Sequence, residues 1–251
     1  MKQHIPNILT MSNLFCGCCA IVCLLVEKDA YLHVVMFFAL GFLFDALDGR
    51  MARHFGVSGP MGKELDSLAD MVTFGVLPGA IMFSLLSKSF YFGDYAAYFG
   101  INNNHGGSAV NLWALPAFLI SVFAGLRLAK YNLDTRQSDT FIGLPTPANT
   151  TFVIGLLAIC FNNSMGLGDY LYNPFALFAI ILLLSYLQIA EIPMLNFRFK
   201  NYGFVGNESR YVLMVISLAS LILFKEAAPA IIIFFYVMMS VLNNLLITKE
   251  V

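Results

Sequence analysis

Charge is the first thing this sequence lacks: only 12% of its 251 residues are Asp, Glu, Lys or Arg, while 59% are hydrophobic and the mean hydropathy is +0.77. A soluble domain of this length needs far more charge on its surface, so the composition points to a chain solvated largely by lipid. An excess of either sign is also missing. Fourteen basic residues against fifteen acidic ones leave a net charge of −1, which excludes the basic surface that a nucleic-acid partner requires. There is no cysteine framework. Cys16, Cys18, Cys19, Cys23 and Cys160 lie mostly in one apolar run, fit no zinc spacing and no secreted disulfide scaffold, and read as reduced packing residues. A single lysine precedes the first apolar run and no small-residue cleavage site follows it, so the run reads as a membrane span rather than a signal peptide.

What remains is a succession of apolar stretches, near 8–26, 31–53, 62–86, 111–129, 149–161, 174–192, 211–224 and 229–247. They predict an all-α, polytopic transmembrane bundle of about eight helices, organised as a single integral membrane domain over 1–251, without internal repeats. The polar, aromatic and Gly/Asn-rich segment Ser87–Ser108 is expected to be an extramembrane loop. With the N-terminus placed in the cytoplasm, eleven Lys and Arg residues fall on the inner side and only Lys28, Lys88 and Lys225 on the outer side. The expected topology is therefore N-in.

Four aspartates break the apolar pattern at helical spacing. Asp45 and Asp48 are three residues apart, and Asp66 and Asp70 four, which puts each pair on one helix face. Between them Gly56-Val57-Ser58-Gly59-Pro60 should end one helix and begin the next. The pairs are nearly equidistant from Ser58, so a helical hairpin brings them together, about 12 to 20 Å from the turn at 1.5 Å rise per residue. Converging carboxylates in an apolar protein repel one another and are costly to desolvate. Hard divalent cations neutralise such a set, and an all-oxygen donor set suits Mg²⁺ or Mn²⁺ rather than zinc. Two ions are expected for Asp45, Asp48, Asp66 and Asp70. The plainer alternative, carboxylates paired with Arg50, Arg53 and Lys63 in a solvated loop, does not account for their helical period.

Read as D-x2-D-G-x2-A-R-x8-G-x3-D-x3-D, the stretch from Asp45 to Asp70 resembles the signature of the CDP-alcohol phosphotransferases at every fixed position: Asp45, Asp48, Gly49, Ala52, Arg53, Gly62, Asp66 and Asp70. The opening Pro6-Asn7-Ile8-Leu9-Thr10-Met11-Ser12-Asn13 is similar to the family's P-N-x-L-T-x2-N. The resemblance implies that Asp48, Gly49, Ala52, Arg53 and Gly62, with Asn7 and Thr10 from the first helix, hold the CDP group. It also implies that Asp70 takes the proton of the attacking alcohol in addition to any metal contact. For Asn7 and Thr10 helix capping is an equal reading, and for Arg53 anchoring at the inner face is the plainer alternative.

Three further runs resemble the branch of that family that uses serine: Asp70-Met71-Val72-Thr73-Phe74-Gly75-Val76-Leu77-Pro78, Arg127-Leu128-Ala129-Lys130-Tyr131-Asn132 and Phe141-Ile142-Gly143-Leu144-Pro145-Thr146-Pro147-Ala148. They imply transfer of a phosphatidyl group from CDP-diacylglycerol to L-serine, giving phosphatidylserine and CMP. Arg127, Lys130 and Asn132 are the candidates for the serine carboxylate, against a reading as headgroup anchors. Glycerol 3-phosphate or an inositol phosphate as acceptor would demand several more cations. A cation transporter with intramembrane carboxylates is the alternative from another class. The resemblance further implies membrane-lipid partners, a homodimer, and residence in a bacterial inner membrane with the site facing the cytoplasm. Asp134 and Asp139 read as loop charges, His54 as interfacial, and Glu191 as a neighbour of the site without an assigned task.

Overall fold

The computed structural model describes residues 4–26, 31–57, 59–91, 95, 111–133, 141–196, 203 and 207–247. Most of the Ser87–Ser108 loop, and Asp134 and Asp139, lie outside them. Among the described residues the fold is carried by eight helices: α1 His4–Val26, α2 Tyr31–Phe55, α3 Pro60–Ser89, α4 Leu112–Leu133, α5 Thr146–Asn162, α6 Pro174–Ile189, α7 Glu208–Phe224 and α8 Ala228–Ile247. The first four, and the stretch Glu208–Leu245, are long and apolar enough to cross a membrane, while α5 and α6 are shorter apolar helices.

Local chemistry sets several helix starts. Pro60 opens α3, and Asn173 caps α6 by accepting from Phe175 N and Ala176 N with Pro174 at the first position. α4 begins as a 3₁₀ turn capped by Asn111, whose side chain accepts from Trp113 N. α1 and α2 form a hairpin whose small residues allow close approach to α3. A Cβ on Gly17 would collide with the Thr73 hydroxyl, and one on Gly41 would stand 3.1 Å from Asn13 Oδ1. At the far side α5 lies on α8 through Gly155, where a Cβ would strike the Ala230 backbone.

Helix α3 passes from the site into the core through one irregularity. Met71–Val76 is wound as a π-helix, with Leu77 N bonded to Val72 O. Pro78 lies just beyond and has no N–H with which to continue the helical ladder. Thr150 of α5 reaches across with its Oγ1 3.0 Å from Phe74 O and 2.9 Å from its own Thr146 O, and Ser121 of α4 donates to Gly75 O at 2.8 Å. The Phe74 ring meets Phe38 and Phe42 of α2 edge-on, both at 6.2 Å. The segment following Asp70 is thus held by three other helices.

Among the described residues, a pair of two-residue antiparallel strands also departs from helix, β1 Phe141–Ile142 and β2 Pro193–Met194, with Phe141 opposite Met194. After β1 the chain turns at Gly143, whose φ is +73° and whose Cβ would lie 2.7 Å from Gln188 O, so no other residue fits there. The polar groups of the extended segment are met by a stripe on α8: Tyr236 and Asn244 donate to Leu195 O and Pro193 O, and Ser240 Oγ accepts from Leu195 N.

Candidate active site

α2 and α3 meet through a tight turn in which Gly56 has φ +64°, and their facing sides carry the four aspartates. One carboxylate oxygen each from Asp45, Asp48 and Asp66 lies within 4.8 Å of the others. Asp70 completes the group from one turn deeper, its carboxyl within hydrogen-bonding reach of Asp45. Asp48 is buried, at 5% exposure, and the other three are half-buried. At an effective dielectric of about 20, two full charges this close repel by roughly 3–4 kcal/mol. Three such pairs approach the entire stability of a typical protein, about 5–15 kcal/mol. A cation between them removes that cost. The donor set is all oxygen, and Asp70 Oδ1 is buried without a partner, an acceptor left open on the inner side of the cluster. These residues fit a hard divalent metal ion.

A cleft of ≈ 120 Å³ opens beside the carboxylates, lined by Asn7 and Thr10 of α1, by Asp48, Gly49 and Ala52 of α2, and by Gly62 and Asp66 of α3. Seven of the residues assigned to metal or CDP from sequence thus share one wall. Thr10 Oγ1 donates to Asp48 Oδ2 at 2.6 Å, so its hydroxyl orients the carboxylate. Asn7 faces Gly62, with its Oδ1 3.6 Å from where a Cβ would be.

The glycines of the bundle fall into two kinds. At Gly17, Gly79 and Gly155 a Cβ would overlap other atoms, so packing demands glycine. At Gly49 and Gly62 the nearest neighbours to a Cβ are 3.5 and 3.6 Å away, which is ordinary contact. Nothing in the protein fold requires glycine at these two positions. What their missing side chains leave is space in the cleft. Arg53 is exposed at the end of α2, and its guanidinium folds back over Gly49 beside that space.

The acceptor candidates separate. Arg127 of α4 is buried at 7% exposure, with Nε unpartnered, and lies in the electrostatic reach of Tyr131, Tyr236 and, least of the three, Asp70. Lys130 is exposed. Asn132 is also exposed and donates to Ser67 Oγ at 2.8 Å, tying α4 to α3. Glu191 is exposed in the extended stretch after α6, and the exposed His54 packs its ring on Phe55. Lys63, Pro6, Val57 and Gly59, none of them assigned to CDP from sequence, also line the cleft. Lys63 carried a signal, since it precedes Asp66 by three residues and shares its helix face.

The model of the family described as CDP-alcohol phosphatidyltransferase matches residues 3–223. The chain is similar to proteins named CDP-diacylglycerol–serine O-phosphatidyltransferase. One from Bacillus subtilis is 32% identical over 197 residues, covering 78% of this chain and 92% of that protein. One from Helicobacter pylori is 31% identical, covering 77% and 72%, and one from Saccharomyces cerevisiae is 35% identical, covering 61% and 53%. With its signature aspartates gathered at one cleft and the family model matching most of its length, the chain belongs to the CDP-alcohol phosphatidyltransferase family.

Proposed function

We propose that this protein transfers the phosphatidyl group of CDP-diacylglycerol to the hydroxyl of L-serine, giving phosphatidylserine and CMP, with residues 1–251 acting as one catalytic unit in the membrane. The observation that carries the reading is the joining, at one cleft, of a metal-competent carboxylate cluster with two glycines that packing does not require. A nucleotide-diphosphate lipid suits such a site. Its acyl chains stay in the bilayer, while its diphosphate needs charge compensation and its nucleotide needs close approach to backbone.

The roles follow from position. Asn7, Gly49, Ala52, Arg53 and Gly62 hold the CDP group, Arg53 reaching over the cleft from the end of α2. Thr10 fixes Asp48. Asp45, Asp48, Asp66 and Asp70 would hold two Mg²⁺ or Mn²⁺ ions, which when bound supply charge neutralisation at the diphosphate and at the departing CMP. Asp70, deepest of the four, has an open oxygen and accepts the serine hydroxyl proton. The serine oxygen forms a bond to the phosphatidyl phosphorus as the bond from that phosphorus to the CMP oxygen breaks. Arg127, buried and close to Asp70, pairs with the serine carboxylate. Removal of a guanidinium's counter-charge is costly at such burial, which makes an anionic substrate group a strongly preferred partner. Lys130 and Asn132, more exposed, line the approach.

The site opens toward the cytoplasm of a bacterial inner membrane, as the basic residues favour. A homodimer within the membrane is part of the same reading. The test is a competition: detergent-purified protein receives CDP-diacylglycerol and Mn²⁺ with equal L-serine, glycerol 3-phosphate and inositol phosphate in one tube. Phosphatidylserine as the dominant lipid product is expected. A phosphatidylglycerol phosphate or phosphatidylinositol phosphate product would keep the chemistry and overturn the acceptor, and ion flux through reconstituted protein without lipid product would favour a transporter.

A further inference from the structure

Below the carboxylates lies a polar side chain to which the reaction as described gives no task. Asn13 of α1 is fully buried, and neither Oδ1 nor Nδ2 has a hydrogen-bond partner. An amide buried in this way is costly for each unmet group, and a native protein that retains one calls for a reason. Its position suggests one. Asn13 lies three residues along α1 from Thr10, the residue that holds Asp48, and α2 runs the opposite way alongside. Moving one turn down α1 therefore corresponds to moving one turn back along α2, from Asp48 toward Asp45.

Two contacts fix the neighbourhood. Asn13 Oδ1 stands 3.1 Å from the position of a Cβ on Gly41, which is one turn before Asp45, and Asn13 O accepts from Thr73 Oγ1 at 3.1 Å, three residues after Asp70. The amide is thus one turn beneath both Asp45 and Asp70, the deeper aspartate of each helix, and Asp70 Oδ1 is itself buried and unpartnered. A helical turn of about 5.4 Å is too long for a direct hydrogen bond and suits one intervening water.

We propose that Asn13 is a positioning residue for the metal site: its amide nitrogen donates through one enclosed water to the inner carboxylates Asp45 and Asp70 and holds them in the orientation that binds the cation. This rests on the metal reading above. Outer-sphere partners of metal-binding carboxylates commonly contribute about tenfold to hundredfold in affinity. A purely structural Asn13 predicts something different, because replacing an unpartnered buried amide with an apolar group is neutral or stabilising and leaves metal affinity unchanged.

Mn²⁺ binding to the detergent-purified full chain, followed by electron paramagnetic resonance without substrate, separates the two. Asn13→Ala should weaken binding at least tenfold while its melting temperature without metal stays at or above that of the unmodified protein. Asn13→Ser, which keeps one donor, should recover part of the affinity. Asn13→Val takes the place of the alanine variant if the latter does not fold, with the same tenfold loss expected. Binding within twofold of the unmodified protein in the apolar variant would overturn the proposal and leave the metal reading standing. No Mn²⁺ binding by the unmodified protein would overturn both.

Discussion

At the scale of single residues, Asp70 and Gly49 carry the clearest expectations. Asp70→Asn removes the proposed proton acceptor while keeping the side chain's size, so turnover should fall by at least a hundredfold, within the range of general-base contributions. The melting temperature should stay close to that of the unmodified protein. Activity within tenfold of normal would show that another group takes the proton. Gly49→Ala adds one methyl that the protein can accommodate, its nearest neighbour being Arg53 Nη1 at 3.5 Å. The fold should be unaffected, and the KM for CDP-diacylglycerol should rise about tenfold, a loss of roughly 1.4 kcal/mol. An unchanged KM would mean that the space beside Gly49 is not where the nucleotide lies. The aspartates and the motif glycines were legible in the sequence because their spacing is local: three, four and the gap between them are counted along two adjoining helices. Asn13 could be quoted from the sequence as part of a polar opening, but its task depends on which turns of α2 and α3 it meets.

At the scale of elements, the π-wound stretch of α3 shows what spacing along the chain cannot supply. The run from Asp70 to Pro78 could be matched to the serine-using branch by its letters. Its physical meaning came from helices far along the chain, since Thr150 and Ser121 bond to the Phe74 and Gly75 carbonyls of the π-wound stretch. Thr150→Val should leave Phe74 O without that donor and lower stability by about 1 kcal/mol, with the core otherwise filled. Thermal unfolding in detergent checks this, and an unchanged melting temperature would show that the bond contributes nothing. Gly79→Ala tests the neighbouring contact, where a Cβ would overlap Ser121 Oγ and approach Phe118 to 3.1 Å. Overpacking there should cost about 1–3 kcal/mol, in contrast to the tolerated Gly49→Ala. Boundaries moved for similar reasons. α3 runs on to Ser89, past the expected start of the loop at Ser87, and α5 begins at Thr146, behind the turn that Gly143 allows. The short strand pair and the α8 stripe of Tyr236, Ser240 and Asn244 had no local signature.

At the scale of the whole molecule, composition alone required a lipid-solvated helical bundle, and eight helices among the described residues carry it. The bundle places its carboxylates where three helices converge, α1 supplying Thr10, α2 the first pair and α3 the second. In the proposed reading Arg127 and Asp70 serve the acceptor, while the cleft lined by Gly49 and Gly62 takes the nucleotide. With Asp70 as base and serine as nucleophile, no phosphatidyl group rests on the protein between substrates. The most direct measurement is CMP release from CDP-diacylglycerol in a single turnover, with serine and Mn²⁺ added together, separately, or followed by a chelator. CMP should form only when serine and metal are both present, and stop when the metal is withdrawn. A burst of CMP with metal but without serine, or release that survives the chelator, would contradict a metal-dependent direct transfer to serine.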